Sequence, residues 1–156
     1  MSEKLTPFSK QELLPLEERL EISATQQSLT IGIPKESEPN ENRVCLSPEA
    51  VYTLTCHNHK VVIESGAGES SNYSNEEYSL AGAEITFDRA KVFGSSIVMK
   101  VNPPSLEEID WLSEKSILIS ALQLKTQSSK YFKALGNKKV TALAYEFIQD
   151  DTGAFP

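Results

Sequence analysis

From Leu29 onward, short apolar runs alternate with segments that carry apolar residues at helical spacing. The runs Leu29–Ile33, Lys60–Glu64, Glu84–Phe87, Ile97–Val101, Ile117–Leu122 and Val140–Ala144 are rich in Val, Ile and Leu and bounded by Gly, Pro, Ser or Asn, which predicts six strands. Between them, Pro48–Cys56, Asn75–Ala81, Asp88–Phe93, Leu106–Leu112 and Ser128–Leu135 read as helices. Ser47 before Pro48 places an N-cap ahead of a proline at the first helical position. Ser74 and Ser105 precede acidic first turns, which suit the positive end of a helix dipole. Strand–helix alternation at this length predicts an α/β fold: a Rossmann-like or flavodoxin-like parallel sheet with helices on both faces.

Residues 1–28 follow another pattern. Ser9-Lys10-Gln11-Glu12 has capping-box spacing for a short helix, Pro15 interrupts it, and Leu16–Ile22 reads as a second amphipathic turn before the polar stretch Ala24–Ser28. This divides the chain into an N-terminal arm and linker, 1–28, and an α/β domain, 29–156.

A chain of 156 residues suffices for one such domain. Fifteen Lys and Arg against 22 Asp and Glu leave a net charge of −7, without the clustered positive charge that nucleic-acid phosphates demand. No apolar run approaches the ~20 residues that span a bilayer, and the first residues contain no apolar signal core. The expected location is cytoplasmic. Cys45 and Cys56 are the two cysteines, too few for a disulfide framework or a four-ligand zinc site. The last residues, Phe147–Pro156, stop on an apolar pair, as if a longer protein continued beyond them.

Three segments invite a chemical reading. Gly66-Ala67-Gly68-Glu69-Ser70-Ser71 follows a strand, but Ser71 stands where a dinucleotide fingerprint has its third glycine, so a tight βα turn is expected. Cys56, His57 and His59 lie too close together to wrap one tetrahedral ion and read as a polar helix end and turn. The stretch Gly32–Val44 is more informative: a strand runs into an irregular loop carrying Lys35, Glu36, Glu41 and Arg43. Loops after parallel strands hold ligands, and an arginine there can grip a carboxylate bidentately. A surface ion-pair cluster is the competing reading.

Several motifs carry a family resemblance. Gly32-Ile33-Pro34-Lys35-Glu36, Asn40-Glu41-Asn42-Arg43-Val44, Leu46-Ser47-Pro48-Glu49, Glu64-Ser65-Gly66-Ala67-Gly68-Glu69 and Ala81-Gly82-Ala83-Glu84-Ile85 resemble the N-terminal domain shared by alanine dehydrogenases and proton-translocating nicotinamide nucleotide transhydrogenases. The resemblance implies the substrate-side domain of a two-domain, NAD-dependent oxidoreductase, with NAD bound mainly by a separate Rossmann domain. It further implies a small-molecule substrate, alanine or pyruvate, and a homo-oligomer. On that view the 156 residues alone are inactive.

The subfamily signals diverge. Ala144–Asp150 with Gly153 and Pro156 resembles alanine dehydrogenases, whereas Met99-Lys100-Val101-Asn102-Pro103-Pro104 is more similar to the transhydrogenase version. Alanine dehydrogenases typically read Lys-Val-Lys-Glu-Pro there, the second lysine holding substrate, and carry a catalytic histidine in a Leu-His-Leu setting. This chain has Asn102 and Gln123 at those positions and retains Arg43 at the carboxylate-binding arginine. The resemblance therefore implies substrate binding by Arg43 and Lys100, with Asn102 and Lys100 near the carbonyl and Gln123 in the proton-transfer position. Glutamine cannot ionise, and asparagine brings no charge. Lys100, two residues from Asn102 along the strand, is a candidate replacement cation, as is Lys125 beside Gln123 if that strand extends. Lys100 as a partner for a nearby acid is the alternative. Hydride transfer between nicotinamide nucleotides would need neither lysine nor histidine, and a non-catalytic carboxylate-binding descendant would need only Arg43.

Overall fold

A computed structural model describes residues 28–150 and Gly153. The arm helices expected before Ser28, and most of the stretch after Asp150, lie outside the described residues. Six strands form one parallel sheet: β1 (Thr30–Ile33), β2 (Lys60–Glu64), β3 (Glu84–Thr86), β4 (Ile97–Met99), β5 (Ile117–Ser120) and β6 (Thr141–Ala144). Five helices connect them: α1 (Pro48–Cys56), α2 (Asn75–Leu80), α3 (Arg89–Phe93), α4 (Leu106–Trp111) and α5 (Ser129–Asn137).

The strand order is β3-β2-β1-β4-β5-β6. Successive strands therefore step outward from β1 in one direction and from β4 in the other. With right-handed crossovers, that reversal places α1 and α2 on one face and the later helices on the other. The core divides accordingly. Ile33, Val51, Ile63 and Tyr78 belong to one buried cluster, while Phe93, Val98, Ile109, Leu118 and Tyr131 belong to a second. Strands covered on both faces need near-continuous apolar sequence, which is why Val61-Val62-Ile63 shows no polar alternation.

Helix starts follow local chemistry. Ser47, Ser74, Ser105 and Ser128 each accept a backbone N–H of the first helical turn, and Ser74 with Glu77 and Ser105 with Glu108 complete reciprocal capping boxes. Gly32 is required by packing. A Cβ there would fall 2.1 Å from the Val92 carbonyl oxygen, so α3 rests directly on the β1 backbone.

Two expected strand ends fall two residues earlier in the structure. β4 ends at Met99 and β5 at Ser120, although Lys100 N–H to Ile119 O (3.0 Å) and Ala121 N–H to Val101 O (3.1 Å) carry the pairing a little further. Beyond Leu122 the chain turns, with Gln123 at φ +47° and Thr126 N–H donating to its carbonyl. Gln123 and Lys125 therefore do not share a strand face, and Lys125 is an exposed turn residue. This corrects the extended-strand expectation.

Candidate functional site

The order reversal between β1 and β4 opens a crevice at the carboxyl ends of the strands, where parallel sheets bind ligands. The long loop after β1 and the short loop after β4 form its sides. A cavity of about 560 Å³ lies there, lined by Glu41, Lys100, Asn102, Glu108 and Gln123 among others. A smaller one, about 220 Å³, is lined by Arg43, Val44, Cys45, Met99, Ile119 and Tyr145, and Lys100 lines both.

A chain of charges forms the base of the crevice. Lys100, only 2% exposed, has its ammonium 3.3 Å from Glu36 and 3.4 Å from Glu108. Glu108 reaches this position because it is the third residue of α4: its Oε2 accepts the Ser105 N–H in the capping box while Oε1 faces inward. That Oε1 accepts from the Ser37 hydroxyl at 2.8 Å and from Arg89, which also pairs with Glu64 at 3.2 Å. Burial alone would raise the Glu108 carboxyl. The Lys100 ammonium, the Ser105 N–H, the Ser37 hydroxyl and Arg89 outweigh it and hold the group below the usual carboxylate range.

Glu36 has a second task. Its Oε1 accepts the Val101 N–H at 2.7 Å, and Oε2 the Asn102 N–H at 3.4 Å, so it clamps the loop that carries Asn102. Tyr145, the first residue after β6, fastens the same loop by donating its hydroxyl to the Val101 carbonyl at 2.7 Å.

Arg43 and Glu41 form the upper part of the site. Arg43 Nε donates to Glu41 Oε1 at 2.8 Å and Nη2 to Oε2 at 2.7 Å, a bidentate fork. Asn102 Nδ2 donates to the same Oε2 at 3.2 Å. The fork pulls the Glu41 carboxyl down to about 2 and raises the Arg43 guanidinium further. Beside it, burial pushes the Cys45 thiol up to about 12, with the Glu36 charge acting in the same direction.

Of the residues singled out from sequence, Arg43 and Asn102 are linked through Glu41, and Asn102, Lys100 and Gln123 line one cavity. Lys100 is engaged by two acids, the arrangement its alternative reading described. Gln123 is held through its backbone, whose N–H donates to Glu146 Oε1 at 2.8 Å. Sequence reading missed Arg89 and the inward role of Glu108. The Ser-x-x-Glu spacing at 105–108 was a usable signal for Glu108, but nothing local marks Arg89.

The glycine segment provides no cradle for a dinucleotide pyrophosphate. Gly66 N–H is taken by Asn75 Oδ1 (2.9 Å) and Ala67 N–H by the Glu64 carbonyl (3.0 Å). A Cβ at Gly68 would lie 2.6 Å from the Tyr78 ring, so that glycine serves packing. His57 Nδ1 contacts the Thr53 carbonyl and His59 Nδ1 accepts the Leu29 N–H, as expected for a helix end and turn.

Fold and crevice together define a doubly wound, Rossmann-like α/β domain with a candidate site at its switch point. Residues 32–156 match the family model described as "Alanine dehydrogenase/PNT, N-terminal domain", and the chain belongs to that family. Alanine dehydrogenase of Bacillus subtilis is 41% identical over 122 residues, covering 78% of this chain and 32% of that protein. The Staphylococcus saprophyticus alanine dehydrogenase is 41% identical over 121 residues, with coverage of 78% and 32%. Among solved structures, an L-alanine dehydrogenase superposes with a TM-score of 0.77 at 31% identity, covering 82% of this chain and 35% of that one. A transhydrogenase from Sinorhizobium meliloti gives 0.73 at 31% identity, covering 79% and 36%. The chain thus spans about a third of the length of the relatives it matches. Among the described residues, no helix is long and apolar enough to cross a membrane.

Proposed function

We propose that this chain is the substrate-side domain of an alanine dehydrogenase-like oxidoreductase, converting L-alanine, NAD and water to pyruvate, ammonia and NADH. The observation that carries the reading is the link from Arg43 through Glu41 to Asn102 at the rim of the switch-point crevice. It puts a bidentate carboxylate grip beside a neutral hydrogen-bond donor. In this reading Arg43 takes the substrate carboxylate and Asn102 donates to the carbonyl or amino group. Lys100 keeps the base of the crevice electrostatically balanced. Gln123 occupies the proton-transfer position and orients a water there, since its amide cannot itself take up a proton.

NAD supplies a hydride acceptor when bound. The glycine segment at 66–68 does not fit it, so in this reading the cofactor belongs to a part of the protein outside residues 28–150. The 41% identity to alanine dehydrogenases supports NAD as the cofactor and alanine or pyruvate as substrate. We place the protein in the cytoplasm as a homo-oligomer acting on small molecules.

One observation favours a second reading. The cavity offers Asn102 and Gln123 where alanine chemistry would use ionisable groups, and hydride transfer between nicotinamide nucleotides needs neither. The test is alanine-dependent NAD reduction by the full-length protein, wild type against Arg43→Met. Activity that collapses in the variant supports the alanine reading. No alanine activity, together with hydride exchange between nucleotide analogues, overturns it in favour of the transhydrogenase-like one.

A further inference from the structure

The carboxylate that Arg43 grips belongs to the chain itself. Four donors converge on Glu41: Arg43 N–H (3.0 Å) and Nε (2.8 Å) on Oε1, and Arg43 Nη2 (2.7 Å) and Asn102 Nδ2 (3.2 Å) on Oε2. They come from the two loops on either side of the switch point, so the arrangement is an assembled carboxylate site spanning the crevice. An ordinary surface ion pair has two exposed partners. Here the Glu41 side chain is 10% exposed while the Arg43 side chain is 72% exposed. The acid is seated and the arginine has room to follow an incoming anion. The neighbouring small cavity sets Val44, Cys45, Met99 and Ile119 beside Arg43, an apolar seat for a short aliphatic group.

We propose that Glu41 occupies the position of the substrate carboxylate, so that a 2-oxo acid enters by displacing it and Glu41 sets the affinity for the acid. The inference rests on the reading of Arg43 as the carboxylate-binding residue. Displacement requires only that a loop side chain swing away from an arginine two residues along the chain, with no strand or helix disturbed. The occupied grip lowers apparent affinity by the fraction of molecules in which it is free. The arginine half of this ion pair stands largely in solvent, which weakens the lock and keeps the penalty modest.

The test is calorimetric titration of the full-length protein with pyruvate, using wild type, Glu41→Gln, Glu41→Ala and Arg43→Met, together with a crystal structure of the pyruvate complex. Pyruvate is expected to bind Glu41→Gln and Glu41→Ala roughly five- to tenfold more tightly than wild type. In the complex, Arg43 is expected to hold the ligand carboxylate with Glu41 turned away and Asn102 released from it. Affinity unchanged or weakened in both Glu41 variants overturns the proposal, as does a complex in which the Arg43–Glu41 fork stays closed. If Arg43→Met abolishes binding while the Glu41 variants gain nothing, only the displacement idea falls. If Arg43→Met binds as wild type does, or wild type binds no pyruvate, the carboxylate-grip reading fails and takes the displacement idea with it.

Discussion

The Glu36 carboxylate stands 3.3 Å from the Lys100 ammonium, joining the loop after β1 to the end of β4 across the point where the strand order reverses. Both side chains are almost fully buried, at 6% and 2% exposure. Glu36 also fixes the Val101 and Asn102 amides, so this one contact sets the width of the crevice and the position of its amide donor.

Removing Lys100 should therefore act first on stability. Lys100→Met takes the cation from the buried Glu36 and leaves Glu108 with Arg89 alone, and breaking a buried pair in this way costs about 3–5 kcal/mol. Urea unfolding should show that loss, with partial recovery when Glu36→Gln removes the stranded charge. A variant as stable as wild type would contradict the buried network.

Acid should weaken the Glu41 contribution in a defined window. The folded carboxyl lies at about 2 because Arg43 holds it, against roughly 4.3 for a free glutamate. A group with a depressed folded pKa stabilises fully above its unfolded value and loses that effect as pH falls through the folded one. The stability gap between wild type and Glu41→Gln, followed by urea midpoints from pH 5 to pH 2, should narrow toward the acid end. A constant gap would show that Glu41 contributes no charge-dependent stability.

The two cysteines should differ in reactivity. Cys45 is partly buried with its thiol pushed up to about 12, whereas Cys56 is exposed at the end of α1. Because the thiolate is the nucleophile, iodoacetamide at pH 8 should label Cys56 and spare Cys45 in the folded protein. Peptide mass spectrometry reads this directly, and equal labelling would contradict it.

The sequence carried much of the sheet. Pro48–Cys56 and Lys60–Glu64 were legible to the residue, because Ser47-Pro48 marks one start and continuous Val-Val-Ile the other element. The ends of β4 and β5 were not, since Lys100-Val101 and Ala121-Leu122 continue both the apolar pattern and part of the hydrogen bonding after the strand geometry has lapsed. Arg43 and Asn102 were legible as candidates only through family motifs. Their bridge, Glu41, stood in the same loop but could not be assigned, because its partner Asn102 lies 61 residues away. Arg89 was invisible for the same reason: its partners Glu64, Ser37 and Glu108 meet it only through the sheet topology.

The departures at Asn102 and Gln123 yield the most decisive prediction. Asn102 is partly exposed on the cavity wall, with its amide on Glu41, so a lysine placed there can reach the same carboxylate or a substrate carbonyl. Gln123 sits at φ +47°, a region that histidine tolerates better than most side chains. Its turn is held through the backbone N–H on Glu146, independently of what the side chain is. Asn102→Lys with Gln123→His should therefore fold and restore both a cation and a group that titrates near neutrality. Positioned acid–base groups contribute about 10²- to 10⁴-fold, so alanine-dependent NAD reduction by the full-length protein should rise by at least about tenfold. Asn102→Lys alone should act mainly on KM and Gln123→His mainly on kcat, because one supplies binding and the other proton transfer. A double variant with wild-type turnover would mean that alanine chemistry is limited elsewhere, and that these two positions have been released from it.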